Sequence, residues 1–110
     1  MEVRVKITRP SNADCGKIVS VPLEEYLRDV LPSEIKAGSC HLQAQCAQAI
    51  AARTYALRKL QECVGKAYDV DDTANYQAYK ARPRHANSDL AVSTTQGKVL
   101  ISPIYDLLAI

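Results

Sequence analysis

Three observations predict an α+β fold, a small mainly antiparallel sheet packed around one long buried helix. Val3, Val5 and Ile7 alternate with Arg4, Lys6 and Thr8, the period-two pattern of a half-buried strand. Lys17-Ile18-Val19-Ser20-Val21 repeats the strand signal after a turn-forming run, Arg9-Pro10-Ser11-Asn12-Ala13-Asp14-Cys15-Gly16, so the two read as an antiparallel pair. Residues 40–65 then hold a helical period with almost no charge.

The elements follow in chain order. Pro22 suits the first turn of a helix, where its missing N–H costs nothing. Glu24 and Glu25 lie near that helix's positive end. Leu23, Tyr26, Leu27 and Val30 give it an apolar face, and Pro32 is expected to end or kink it. Residues 33–39 link it to the next helix, which puts Glu34 at a helix–helix junction.

The central helix is unusual in composition. Between residues 41 and 57 it holds one charge, Arg53, and six alanines, Ala44, Ala47, Ala49, Ala51, Ala52 and Ala56. At 100° per residue, Leu42, Cys46, Ala49, Ile50, Arg53, Leu57, Leu60 and Val64 share one stripe. The reverse side carries Ala44, Ala47, Ala51 and Tyr55, so it is not polar either, and a helix apolar on most sides is buried. Gly65 suits a left-handed cap at its end.

Beyond it, residues 68–75 read as an acidic loop, Tyr76-Gln77-Ala78-Tyr79 follows, and residues 80–85 are basic. Asn87 or Ser88 caps a short helix through Leu90, Ala91 and Val92, stopped by Gly97. Residues 98–101 and 104–108 look like a hairpin turning at Ser102-Pro103. The apolar end, Leu107-Leu108-Ala109-Ile110, reads as a strand that is truncated or finishes inside a sheet. No internal repeat is present.

Composition bounds the function. The 110 residues make one domain, 1–110, and the net charge of +2 argues for no nucleic-acid partner. No run approaches a membrane span. Met1-Glu2-Val3-Arg4 is no secretory leader, which leaves a cytosolic protein or a piece of a larger exported one. With no Trp or Phe, the core is aliphatic and six tyrosines supply the aromatic surface. Four cysteines do not make a disulfide framework. Cys46 and Cys63 lie about 25 Å apart along one helix, and Cys40 and Cys46 cannot pair while the helix persists. At most one bridge, from Cys15 to a helix cysteine, fits, and free thiols packed as small hydrophobes fit better.

Several blocks resemble the SpoIID/LytB domain family. They are Val21-Pro22-Leu23-Glu24-Glu25-Tyr26-Leu27 with Val30 and Ser33-Glu34, and Leu42-Gln43-Ala44-Gln45 with Ala51-Ala52-Arg53-Thr54-Tyr55-Ala56. Gln77-Ala78-Tyr79 and Ala91-Val92-Ser93-Thr94-Thr95-Gln96-Gly97-Lys98-Val99-Leu100 complete the set in the family's order. The resemblance implies a bacterial, extracytoplasmic protein of the cell wall acting on peptidoglycan. Sporulation members are lytic transglycosylases of glycan strands stripped of stem peptides, and LytB-type members enhance a cell-wall amidase. Carried onto this chain, it places the catalytic glutamate at Glu34. The family pattern continues past the stretch that ends here at Ile110, so the chain resembles a short member lacking the C-terminal portion. Some members bind zinc just before the Gln-x-Tyr block; Asp71-Asp72-Thr73-Ala74-Asn75-Tyr76 stands there with no ligand set, so neither metal nor cofactor is expected.

One glutamate suffices for that chemistry, and burial is the simplest way to keep it protonated. The bland alternative is a solvated junction carboxylate. Arg53 has three candidate roles: holding a carboxylate such as Glu34 or Asp29, satisfying a backbone turn, or touching substrate. Pairing with Glu34 would lower that acid's pKa, so a structural Arg53 is favoured. Gln77 and Tyr79 are candidate sugar contacts, an amide for hydroxyls and an aromatic face for a pyranose ring, with strand packing as the alternative. Cys40-His41 with Cys46 fits no strong zinc spacing. Arg82-Pro83-Arg84-His85 reads as a solvated loop that could also meet an anionic glycan. The expected partners are therefore peptidoglycan glycan strands and, in the alternative reading, a cell-wall amidase for which the chain is a non-catalytic module.

Overall fold

Strand β1 (Glu2–Lys6) is the centre of the sheet, and its alternation is realised: Val3 and Val5 are fully buried, and Ile7 continues the row. The computed structural model describes residues 1–35, 41–73, 76–102 and 107. β2 (Ile18–Pro22) pairs with β1 antiparallel, from Glu2 opposite Pro22 to Lys6 opposite Ile18. The third strand, β3 (Val70–Asp71), lies on the other side of β1 and runs parallel to it, Val5 facing Val70. The sheet is thus mixed, in the order β2-β1-β3. Two residues are too few to show an alternation, so β3 leaves no period in the sequence.

Helix α1 (Leu23–Glu34) starts directly from β2, with Glu24 and Glu25 in its first turn as the dipole favours. Pro32 does not stop it. The helix runs two residues further, because proline in the last turn removes one hydrogen bond and the chain turns extended only at Ile35. Helix α2 (Leu42–Glu62) is the long central element, beginning at His41 as N-cap; Cys40 lies outside the described residues. Its buried side differs from the apolar stripe. Gln45, Ala49, Ala52, Arg53, Thr54 and Ala56 are buried, whereas Leu42 and Val64 are exposed and Cys46, Ile50, Leu57 and Leu60 are half-covered. Neighbouring backbones approach along the small residues, so the larger apolar side chains flank the contact rather than fill it. α3 (Ala86–Thr94) is capped two residues before the first of the expected positions, by His85, whose Nδ1 accepts from the Asn87 N–H at 3.1 Å. The helix gives way to a turn in which Gly97 takes φ +79°. Of the hairpin expected after it, the described residues show one antiparallel bridge, between Ile101 and Leu107; residues 103–106 and 108–110 lie outside them.

The core gathers Val3 and Val5 from β1 with Ile7 just beyond it, Tyr26, Leu27, Val30 and Leu31 from α1, Ala49, Ala52 and Ala56 from α2, Val70, and Ala91 with Val92 from α3. Two clamps fix the segment between α2 and α3 to β1. Arg4 holds Asp69 at 2.8 Å and also reaches the Lys66 and Cys63 carbonyls. Asp72, 1% exposed, accepts from the Thr8 N–H, the Thr8 hydroxyl and the Arg9 N–H, while Arg9 donates to the carbonyls of Asp72 and Tyr79.

Burial alone would raise the Asp72 pKa, but the hydrogen bonds from Thr8 and Arg9 outweigh it and hold the carboxyl below its ordinary 3.8. A carboxyl depressed in the folded state stabilises the protein above its unfolded value and loses that contribution as the pH falls through the folded one. Urea denaturation at pH 6 and pH 2.5 should therefore show an acid-induced loss of stability that is smaller in Asp72→Asn. Equal losses in parent and variant would mean that Asp72 does not contribute.

Candidate active site

The last turn of α1, the middle of α2 and the segment clamped to β1 meet around a small cavity. Its volume is about 140 Å³, and its lining is Glu34, Gln48, Ala51, Ala52, Tyr55, Tyr76 and Gln77. α2 supplies Gln48, Ala51, Ala52 and Tyr55, which at spacings of three, four and seven share one helical face. Glu34 is the final residue of α1 and is exposed as a whole. Even so, partial burial of its carboxyl raises the pKa above the ordinary 4.5. Among the described residues it has no ion pair and no hydrogen bond. An acid without a cationic partner keeps its proton to higher pH.

Two of the three active-site candidates from the sequence come together here, and one does not. Gln77 lines the cavity beside Glu34 and is 4% exposed. Its Nε2 donates to the Ala52 carbonyl at 3.0 Å, and its Oε1 is buried with no partner among the described residues. Tyr79 is equally buried but lies away from the cavity. Its ring stacks on Tyr26 at 5.6 Å and 14°, the packing alternative to a sugar platform. The aromatic walls are Tyr55 and Tyr76, which the sequence did not single out as contacts. Lys59 Nζ sits 5.5 Å from the centroid of each ring. Burial raises the Tyr55 pKa, with the Lys59 charge opposing, so the hydroxyl stays protonated. The signal for Tyr55 was available: it follows Gln48 by seven residues and Ala51 by four, on the side turned away from the apolar stripe.

Arg53 is 1% exposed and does not reach Glu34 or Asp29. Its carboxylate is Glu24, gripped by Nε at 3.0 Å and by Nη2 at 2.7 Å. The remaining donors go to the Val92 and Lys98 carbonyls and the Thr95 hydroxyl. One guanidinium thus joins the first turn of α1, the middle of α2 and the end of α3. Asp29 is held instead by Arg84 at 2.8 Å, and Arg84 also pairs with Glu25 at 2.8 Å, so the basic stretch is tied to α1 rather than solvated throughout. A larger cavity, about 370 Å³, lies over the Arg53–Glu24 pair and is lined by Met1, Pro22, Leu23, Leu57, Gly97 and Val99. It holds a neutralised carboxylate, so the free acid belongs to the smaller cavity.

Cys15, Cys46 and Cys63 are free thiols, exposed, half-buried and buried in turn. Among the described residues no three His, Cys, Asp or Glu side chains form a metal-binding group, and no helix is long and apolar enough to cross a membrane.

Comparison with known proteins gives consistent matches. The family model described as Stage II sporulation protein, SpoIID, matches residues 11–101. An amidase enhancer of Bacillus subtilis is 39% identical over 74 residues, which is 67% of this chain and 10% of that protein. A Stage II sporulation protein D of Bacillus amyloliquefaciens is 34% identical, covering 89% of this chain and 32% of its own length. An uncharacterised protein of Brachyspira hyodysenteriae is 33% identical over 94 residues, 84% of this chain and 25% of that one. The chain spans a third or less of each of these relatives.

Proposed function

This chain belongs to the SpoIID family, and from that membership and the geometry around Glu34 we propose that it cleaves peptidoglycan glycan strands as a lytic transglycosylase outside the cytoplasm, at the cell wall. The observation that carries the proposal is an unpaired carboxyl with a raised pKa, on a cavity walled by two tyrosines and two amides.

Protonated Glu34 gives its proton to the glycosidic oxygen as the C1–O bond breaks and the sugar gains oxocarbenium character. The carboxylate left behind takes the proton of the muramic C6 hydroxyl. The O6 lone pair then closes on C1, giving a 1,6-anhydro end and a new 4-hydroxyl on the leaving sugar. No water is consumed, so the second carboxylate of an ordinary glycosidase has no task. Tyr55 and Tyr76 offer faces for sugar rings, Gln48 and Gln77 offer amides for their polar groups, and Arg53 keeps the helices in register.

The test is incubation with glycan strands freed of stem peptides, read by mass for 1,6-anhydro ends. A second reading, an amidase-stimulating module without its own activity, is supported by the 39% identity to a protein named amidase enhancer. It would be selected if the chain sediments with glycan, leaves no anhydro ends, and accelerates a cell-wall amidase.

A further inference from the structure

The segment that leaves the cavity after Gln77 carries charge for which the mechanism has no use. Residues 80–87 are exposed, and Lys80, Arg82 and Arg84 stand among them. Such a run is ordinarily a solvated loop, but this one is fixed at several points. Lys80 takes φ +55°, a left-handed conformation strained for a residue with a side chain. Its N–H donates to the Asp29 carbonyl at 3.0 Å, and its Nζ lies 5.4 Å from the centroid of the Tyr79 ring. Arg84 holds the Asp29 carboxylate and pairs with Glu25, so the loop is fastened twice to the helix that ends in Glu34. Arg9 donates to the Tyr79 carbonyl at 2.8 Å, which sets its guanidinium beside the start of the loop. Glycine would hold the turn at residue 80 without strain. Lysine there therefore serves through its ammonium.

Arg9, Lys80 and Arg82 make no ion pair among the described residues, while Arg84 occupies Glu25 and Asp29. A lone carboxylate gains little from one exposed cation. A chain of anions that meets several cations at once gains at each, and the guanidinium fork matches phosphate. Residues 80–87 include no Tyr, Phe or Trp on which a nucleic-acid base could stack, and no large apolar side chain to enter a bilayer. We propose that Arg9, Lys80 and Arg82 form a docking ridge for a linear polyol phosphate, a polyanion of phosphodiester-linked units without bases. This role is separate from glycan cleavage and rests on the reading above only for the cell-wall setting. The ridge retains the protein on the polymer and requires no chemistry from Glu34.

Calorimetry of the intact protein with poly(glycerol phosphate) tests this. The parent is expected to bind, and to lose most of that binding between about 50 mM and about 200 mM salt, as contacts to phosphate do. Lys80→Gly combined with Arg82→Gln should weaken binding at low salt by about tenfold, since each exposed contact contributes modestly. Glycine relieves the strain at φ +55°, so the urea midpoint of Lys80→Gly should equal or exceed that of the parent. Lost binding in a protein of undiminished stability cannot come from misfolding. The yield of 1,6-anhydro ends from peptide-free glycan should be the same in parent and double variant. Equal polymer binding by the two, or none by the parent at millimolar phosphate, overturns the ridge and leaves the glycan reading standing. Equally tight binding of single-stranded DNA, polygalacturonate or phosphatidylglycerol vesicles, also lost in the variant, means a surface that reads charge alone and overturns the polyol phosphate. Absence of anhydro ends from the parent counts against glycan cleavage only, because polymer binding is measured without it.

Discussion

Glu34→Gln is expected to lower the production of 1,6-anhydro ends by about 10²- to 10⁴-fold, the usual contribution of a positioned general acid–base group. Glutamine keeps the size and polarity of the side chain but can neither give nor take the proton. Among the described residues the cavity lining contains no other carboxyl to substitute for it. Sedimentation with glycan strands should be unchanged, which separates lost chemistry from lost binding. The pH profile of the parent carries the same information. Only the protonated acid starts the reaction, so the rate falls as the pH rises through the Glu34 pKa. Because partial burial raises that pKa, the fall is displaced above the 4.5 of an ordinary glutamate. Anhydro ends from Glu34→Gln at the parental rate would remove Glu34 from the mechanism.

Arg53→Met is the substitution expected to cost most stability, about 3 kcal/mol, the low end of the range for breaking a buried ion pair from one side, because Glu24 keeps some access to water. Methionine fills part of the space of the stem but leaves the Glu24 carboxylate facing an apolar cavity. It also removes the guanidinium donors from the Lys98 carbonyl and from the Val92 carbonyl, which keeps only the longer bond from the Thr95 hydroxyl. Arg53→Lys should recover only part of the loss, because one ammonium cannot hold Glu24 with two parallel bonds and reach α3 as well. Urea midpoints measure both. A midpoint for Arg53→Met within error of the parent would mean that the guanidinium is not a structural tie. The Glu34-dependent pH profile should survive in whatever fraction stays folded, since Arg53 and Glu34 share no contact.

Local pattern made much of this molecule legible. The alternation of Val3, Val5 and Ile7 marks β1, the helix signals around Pro22 and Glu24 mark α1, and the charge-poor run marks α2. These are properties of a few neighbouring residues. What stayed hidden depends on distant ones. β3 exists because Arg4 and β1 capture Val70 and its neighbours, and nothing within two residues announces a parallel pair. The buried side of α2 was misplaced because hydrophobicity points at leucine, whereas close helix contact selects alanine. At the site, Glu34 and Gln77 are legible through their motifs, whereas Tyr55 is marked only by its spacing from Gln48 and Ala51, on the side away from the apolar stripe, which proves to line the cavity. The choice of Glu24 over Asp29 as the partner of Arg53 rests on how α1 crosses α2, which no spacing along either helix encodes.

The clamp between Arg4 and Asp69 closes a span of 65 residues, and it sets the order in which the molecule can be made. Contacts so far apart in the chain form slowly, because the intervening loop must close before anything rewards it. During synthesis the first two strands and both long helices leave the ribosome before Val70 is available to dock on β1. Tyr76 and Gln77 come later still. The chain therefore passes through a stage in which α2 already presents Tyr55 and its alanines but the facing wall is absent, and the cavity is complete only once Tyr76 and Gln77 have been made.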